Sequence, residues 1–103
     1  MTEAQLQTAV IELARLLGWR VAHFRPALTA RGWRTAVEGD GAGFPDLVLA
    51  RPRRLLFVEL KGPKGSLATA QVDWMNALLG AGAEYHCWWP FEWTDGTVER
   101  ILR

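Results

Sequence analysis

The segment GFPDLVLARPRRLLFVELKG, residues 43–62, constrains the fold of this chain more than any other part of the sequence. It contains two apolar stretches, residues 46–50 and 55–61, on either side of a basic loop that runs from Arg51 to Arg54. Aliphatic and aromatic stretches of this length around a short loop predict a β-hairpin. One end of this hairpin carries three charged residues, Asp46, Glu59 and Lys61, which do not contribute to an apolar core.

The charges converge if the two strands pair antiparallel around the four-residue loop, because Asp46 then lies directly opposite Glu59. Opposed side chains have Cβ atoms about 4.5–5.5 Å apart, and like charges at that separation are destabilising. Side chains alternate between the faces of a strand, so Lys61 shares a face with Glu59. The hairpin therefore brings two carboxylates and one ammonium into a small volume.

Two interpretations of this cluster are open. The charges could simply face solvent, with Lys61 neutralising Glu59. Alternatively, Asp46 and Glu59 bind a divalent cation such as Mg²⁺, which takes a few carboxylates from a protein and leaves its remaining positions to water and phosphate. The Leu60 carbonyl could then supply another oxygen, and Lys61 could orient an attacking water. The second interpretation predicts a repulsive pair without metal, so that Asp46→Asn would leave the apo protein as stable as the wild type, or more stable.

The rest of the chain predicts one α/β domain over residues 1–103 with the order α-β-β-β-α-β. Leu6, Val10, Leu13 and Leu17 form one helical stripe, and Thr2 is the expected N-cap. The expected elements are a helix at 3–17, strands at 19–25, 46–50, 55–61 and 84–89, a loop or irregular hairpin at 26–43, a helix from Ser66 or Thr69 through Leu79, and a short terminal helix capped by Asp95.

Composition supports a globular domain and leaves the partner open. Half of the 103 residues are hydrophobic, enough to fill one core, and 12 basic and 11 acidic residues give a formal charge of +1. A single cysteine, Cys87, excludes a disulfide framework, and we expect a small buried apolar residue there. The sequence shows no signal peptide and no apolar run of about 18 residues, so we expect a cytoplasmic protein without membrane contact.

The motif PD followed after 12 residues by ELK matches the pattern of the PD-(D/E)XK nuclease superfamily. The longer string GFPDLVLARPRRLLFVELKGPKGSLATAQVDWMNALLGAG resembles the VRR-NUC domain, in which Gly-x-Pro-Asp-Leu precedes Glu-x-Lys, a Gln-bearing helix and a Gly-ended turn. TEAQLQTAVIELARLLGW and His23 resemble the opening helix and strand of that family, and only residues 26–40 have no counterpart. The resemblance implies a restriction-endonuclease-like fold with a mixed central sheet flanked by helices.

The resemblance also implies hydrolysis of DNA phosphodiesters with Mg²⁺, or Mn²⁺ in its place. Asp46 and Glu59 would be metal ligands, and Lys61 would be the catalytic lysine. Stand-alone members of the family are associated with phages and with structure-selective cutting, including cleavage of four-way junctions as dimers. The implied partners are therefore branched or single-strand-containing DNA and a second copy of the chain. Two rival functions are a non-catalytic DNA-binding relic, which the intact motif disfavours, and a nuclease subunit that needs a partner protein.

Two more residues are candidates for the site. At 100° per residue Glu3 lies within about 20° of Val10 on the buried stripe, whereas Glu12 lies about 200° away. Many nucleases of this superfamily take a further acid from the first helix, and the opening Glu of the family falls on Glu3. The resemblance therefore implies that Glu3 is a metal ligand; the alternative is simply a favourable acid in the first helical turn. Gln71 lies on the inward stripe of the second helix, where the family places a glutamine, and could contact a phosphate or a metal-bound water. The alternative is an amide on the helix surface.

The lysine and arginine candidates for DNA contacts either bind phosphate or are simply solvated. They are Arg31, Arg34, Arg51, Arg53, Arg54 and Lys64. His23 is a further candidate for a DNA contact because of the resemblance, and the alternative is a histidine satisfied within its strand. Trp33 could stack on an unpaired base or pack in the core, and the other tryptophans are expected in the core.

Overall fold

The structure, a computed structural model, describes residues 1–24, 27–29, 32–34 and 38–103, with residues 27–29, 33 and 34 described through their backbone. Along the chain the elements are α1 (Glu3–Leu16), β1 (Arg20–His23), β2 (Ala27–Thr29), β3 (Gly32–Arg34), β4 (Leu47–Arg51), β5 (Arg54–Leu60), α2 (Thr69–Gly80), β6 (Glu84–Trp88), α3 (Pro90–Thr94) and α4 (Thr97–Leu102).

The central sheet has the strand order β1-β4-β5-β6. Its first two pairings are antiparallel and the β5–β6 pairing is parallel, so the sheet is mixed, as a βαβ connection through α2 requires. This arrangement of a helix, a mixed sheet and flanking helices confirms the predicted restriction-endonuclease-like α/β fold. Strands β2 and β3 form a separate two-stranded sheet within the stretch predicted to be a loop or irregular hairpin.

The predicted register of the central hairpin is confirmed. Val48 lies opposite Phe57 and Leu47 opposite Val58, and one more step along the same register brings Asp46 to Glu59. The ladder extends further than predicted at the other end, where Arg51 and Arg54 still pair. The turn therefore contains two residues instead of four, and its second residue, Arg53, has a φ of 67°.

Helices α1 and α4 cover one face of the sheet. Thr2 and Gln5 form a capping box at the start of α1, which confirms the predicted N-cap. The opposite sheet face is covered more thinly by α2, none of whose residues is fully buried. The core is formed by Leu6, Val10, Ala14, Trp19, Leu47, Leu49, Leu56, Val58, Leu60, Trp88, Val98 and Leu102.

The chain after β6 forms two short helices, of which α3 was not predicted. Pro90 is buried at the first position of α3, where its missing N–H is not needed. The Asp95 carboxylate accepts the Thr97 N–H at 2.9 Å near the start of α4, but the N-cap position of this helix is Gly96, so the predicted cap at Asp95 is wrong by one residue. None of the helices in the described ranges is long and apolar enough to cross a membrane.

Arg51 and Arg54 fix the end of α4 to the sheet. Arg51 Nη2 donates to the Arg103 carbonyl at 2.7 Å, and Arg54 Nη1 donates to the Ile101 carbonyl at 2.7 Å. The two guanidiniums lie 4.3 and 5.2 Å from the centre of the Trp19 ring. These bonds satisfy carbonyls that a helix C-terminus leaves unpaired. Both arginines therefore have a structural role, and their expected DNA contact stays a prediction.

Gly43 marks the closest approach between the segment before β4 and helix α2. Its φ is 80°, and an added Cβ would lie 2.5 Å from the Ala70 carbonyl oxygen and 2.7 Å from the Gln71 nitrogen. Real Cβ atoms do not come this close to backbone, so only glycine lets the loop and the helix meet. The position of the first turn of α2 therefore depends on Gly43.

We expect Gly43→Ala to destabilise the protein by about 1–3 kcal/mol more than Gly82→Ala. Both glycines have a φ near 80°, but an added Cβ at Gly82 meets nothing of the described chain within 4 Å. The two variants thus share the backbone strain of a positive φ and differ in the clash with α2. Urea unfolding measures the difference, and equal losses for the two variants would contradict this packing account.

Candidate active site

The predicted cluster lies at one end of the sheet, where several elements begin or end together. Asp46 directly precedes β4, Glu59 is the penultimate residue of β5, and Lys61 follows that strand. Gln71 lies in the first turn of α2. This turn packs closely against the loop before β4 because Gly43 has no Cβ. The four residues that the sequence predicted to share one site therefore lie close together in the fold.

Glu59 is the buried member of the cluster. Its side chain is 3% exposed, and it is the one charged residue in the described ranges that is buried. Its Oε2 atom accepts a hydrogen bond from Gln71 Nε2 at 2.9 Å. Its Oε1 atom is buried and has no hydrogen-bond partner among the residues that the structure describes. A buried carboxylate oxygen without a partner is costly and calls for a proton or a cation.

Asp46 is held by the backbone of the neighbouring strand. Its Oδ2 atom accepts the Leu60 N–H at 2.8 Å, beyond the last rung of the β4–β5 ladder. This hydrogen bond between a side-chain carboxylate and a backbone amide links the start of β4 to the end of β5. The expectation of a purely repulsive pair therefore needs correction, because Asp46 also stabilises the hairpin, and Asp46→Asn removes part of that stabilisation along with the repulsion.

The environment of Glu59 favours its protonated form. Burial is the largest cause, followed by the charge of Asp46. Lys61 opposes them, and together these effects raise the pKa of Glu59 to about 8. Glu59 is thus mainly protonated at neutral pH when no cation is bound. That proton relieves the repulsion that the sequence predicted, and a divalent cation could take its place.

Gln71 connects the acid to the lysine. Its Oε1 atom accepts hydrogen bonds from Lys61 Nζ at 2.7 Å and from the Ala68 N–H at 2.8 Å. With two donors on the oxygen, the amide nitrogen is left to donate to Glu59, which fixes the orientation of the amide. Lys61 Nζ lies 3.7 Å from Glu59 Oε2, and the lysine side chain is 13% exposed. The amide is thus part of the acidic site, and the alternative of a helix-surface amide is wrong.

Glu3 lies at the edge of the site. It is exposed, but a Cβ added to Gly62 would lie 3.7 Å from the Glu3 Cβ, so the start of α1 meets the chain just after Lys61. The charge of Glu3 contributes to the raised pKa of Glu59. Within the described ranges no three His, Cys, Asp or Glu side chains are grouped to hold a metal ion. Glu3 is therefore near the acidic pair without completing it.

The residues present fit a hard divalent cation. Asp46 and Glu59 offer carboxylate oxygens, and the unpartnered Glu59 Oε1 is an oxygen that a cation would satisfy. Mg²⁺ commonly takes one or two carboxylates and retains several water or phosphate ligands. Cys87 faces Glu59 across the β5–β6 pairing, and burial raises the pKa of its thiol to about 12.

Two tryptophans support the loops around the site, which sequence reasoning missed. Trp74 Nε1 donates to the Asp40 carbonyl at 2.7 Å, and Trp89 Nε1 donates to the Gly65 carbonyl at 2.8 Å. Both were expected in the core together with Trp19, Trp88 and Trp93, and of these five the structure buries Trp19 and Trp88. The signal for such a role is the indole N–H, which a half-buried tryptophan normally pairs.

The expected DNA contacts are scattered. His23 lies opposite Leu47 at the same end of the sheet but on the α1 face, away from the Glu59 side chain. Lys64 is exposed in the turn after Lys61, whereas Arg53 is exposed at the far end of the hairpin. Arg31 and the side chains of Trp33 and Arg34 lie outside the described residues.

An acidic pair with one buried member, Glu59, followed by a lysine at one end of a mixed sheet is the arrangement expected of a PD-(D/E)XK-type nuclease domain. The sequence profile of the VRR-NUC domain matches residues 4–87. The chain therefore belongs to the VRR-NUC domain family, a family of nuclease domains of this type. No curated protein and no solved structure matches it.

The burial of Glu59 makes the stability of the metal-free protein depend on pH. Its pKa is raised from 4.5 to about 8, so the folded state binds this proton more tightly than the unfolded state does. The resulting stabilisation is complete below about pH 4.5 and is lost as the pH rises through about 8. Within that window Glu59 lowers the free energy of unfolding by up to about 1.4 kcal/mol per pH unit.

Urea unfolding in EDTA between pH 5 and pH 9 measures this contribution. We expect the wild type to lose stability relative to Glu59→Gln as the pH rises, because glutamine removes the titrating group and keeps its shape. The comparison cancels the contributions of all groups that the two proteins share. Parallel stability curves would show that Glu59 has an ordinary pKa.

Proposed function

We propose that this protein is a divalent-metal-dependent endodeoxyribonuclease that hydrolyses phosphodiester bonds in branched or single-strand-containing DNA, such as four-way junctions or flaps. The observation that carries the proposal is the buried Glu59, with one oxygen unpartnered beside Asp46 and the other linked to Lys61 through Gln71. Such a cluster destabilises the fold, and binding of a cation and a phosphate would explain why it is present.

Asp46 and Glu59 would hold Mg²⁺, or Mn²⁺ in its place, with the Leu60 carbonyl and Glu3 as the further proposed ligands. When bound, the cation lowers the pKa of an attacking water and offsets negative charge on the scissile phosphate. Lys61 supplies the remaining positive charge. Its ammonium, held by Gln71 and 3.7 Å from Glu59, orients the water and stabilises charge that develops on the phosphoryl oxygens.

DNA would approach the open end of the sheet, where Lys64 projects next to Lys61. Lys64 and His23 are the proposed contacts at this end, and Arg31 and Arg34 remain proposals from the sequence. Arg53, at the opposite end of the hairpin, could contact only a more distant part of a long or branched substrate. Each such phosphate contact adds to the salt dependence of binding.

We also propose a homodimer for substrates that are cut in two strands. One acidic site hydrolyses one strand, so symmetric cutting needs two protomers related by a twofold axis. A monomer would nick such substrates one strand at a time.

Cleavage of flap, bubble and four-way-junction DNA tests the function directly. We expect cutting in Mg²⁺ or Mn²⁺ and none in EDTA or Ca²⁺, since Ca²⁺ prefers longer and looser coordination than Mg²⁺. Lys61→Ala should abolish most of the activity, and Lys64→Ala, its matched control, should mainly weaken DNA binding. Cutting in EDTA would refute the metal requirement. Binding without cleavage by the wild type would indicate the DNA-binding relic, and activity only with a cell extract would indicate a subunit of a larger nuclease.

Glu3→Gln and Glu12→Gln separate a role in the site from a general effect of acidic residues in α1. We expect Glu3→Gln to lower kcat by about tenfold or more, because Glu3 lies beside Gly62 at the site and would hold the cation. Glu12→Gln should retain wild-type kcat, since it lies on the opposite side of the helix. Equal rates for the two variants, each corrected for its folded fraction, would remove Glu3 from the proposed site.

A further inference from the structure

We propose that Trp89 is a positioning residue for Lys61, acting through the turn at Gly62–Gly65; this role rests on the proposed nuclease function. Lys61 has a long flexible side chain at the end of a strand, yet it is only 13% exposed and its ammonium donates to Gln71. Confining a lysine costs rotamer entropy. Something other than the Gln71 hydrogen bond must therefore restrict the methylene chain.

The turn after β5 provides that restriction. A Cβ added to Gly65 would lie 3.3 Å from both the Cβ and the Cδ of Lys61, so the Gly65 backbone packs directly on the lysine methylenes. The turn is closed by a hydrogen bond from the Gly65 N–H to the Gly62 carbonyl at 3.0 Å. One hydrogen bond within an exposed turn does not keep it against Lys61, because turns of this kind open readily.

Trp89 connects this turn to a rigid part of the fold. Its indole Nε1 donates to the Gly65 carbonyl at 2.8 Å. Its own backbone is fixed between buried Trp88, whose carbonyl accepts the Lys61 N–H, and buried Pro90, which starts α3. The Trp89 N–H also donates to Glu92 Oε1 at 3.1 Å. The segment Trp88–Trp89 thus binds both the Lys61 backbone, through the Trp88 carbonyl, and the following turn, through the Trp89 indole.

Trp89→Phe removes the indole N–H and keeps an aromatic ring. We expect kcat on a cleaved DNA substrate to fall by about five- to tenfold, the factor that corresponds to one ordinary hydrogen bond, with KM within about twofold. Trp19→Phe is the matched control, since it loses an indole bond to the Leu102 carbonyl at the far end of the sheet and should retain wild-type kcat per folded molecule.

Amine acetylation followed by mass spectrometry reports on Lys61 without any nuclease activity. Lys61 and Lys64 are the two lysines of the sequence, and exposed Lys64 serves as the internal reference. In metal-free protein we expect the labelling rate of Lys61 relative to Lys64 to rise about five- to tenfold in Trp89→Phe and to stay unchanged in Trp19→Phe. A purely structural role of Trp89 would lower stability without this selective exposure of Lys61.

Gly65→Ala gives a second route if Trp89→Phe does not fold. Its Cβ would press on the lysine methylenes and should likewise lower kcat, whereas Gly80→Ala, whose Cβ meets nothing of the described chain within 4 Å, should not. Unchanged Lys61 labelling in Trp89→Phe would overturn the proposal, even if kcat fell. If the wild type cleaves no DNA, the proposed function fails, and the labelling experiment alone decides whether Trp89 holds Lys61.

Discussion

The burial of the Glu59 carboxyl beside Asp46 is the interaction on which the rest of the site depends. A carboxylate that is 3% exposed in a central strand would destabilise the fold unless something stabilises it. Gln71 and Lys61 provide part of that stabilisation at Oε2, and Oε1 is left for a proton or a cation. The raised pKa of Glu59 and the proposed metal site are thus two consequences of the same burial.

The elements around the pair explain how so small a domain can maintain it. Gly43 lets α2 approach the loop closely enough for Gln71 to contact both Glu59 and Lys61. At the other end of the sheet, Arg54 and Trp19 fix the end of α4 and close the core.

Much of the site could be predicted because it follows from local periodicity. The alternation of side chains and the length of the hairpin determine which residues oppose each other, so Asp46 and Glu59 were paired correctly. The helical stripe of α1 was predicted for the same reason. The inward position of Gln71 on α2 was predicted from its helical period, although its bond to the Ala68 N–H was not.

The parts that sequence reasoning missed depend on contacts between distant segments. No pattern within the hairpin indicates that Asp46 accepts the Leu60 N–H, because the bond lies beyond the ladder. The structural role of Arg51 depends on where the C-terminal helix packs, 52 residues away. The indole bond of Trp89 joins residues 24 positions apart. Such contacts can be identified only from the tertiary structure. Arginine and tryptophan have the same local sequence preferences whether they bind DNA, pack in a core or connect two segments of the fold.

The central claim is that a divalent cation takes the place of the proton held by buried Glu59 beside Asp46. Because metal ligands must be deprotonated, binding should release that proton. Titration calorimetry of Mg²⁺ binding at pH 7, in buffers with different ionisation enthalpies, counts the protons released. The account predicts about one proton per Mg²⁺ at pH 7 and close to none well above the Glu59 pKa of about 8. Binding at pH 7 without proton release, or equal release from Glu59→Gln, would contradict it.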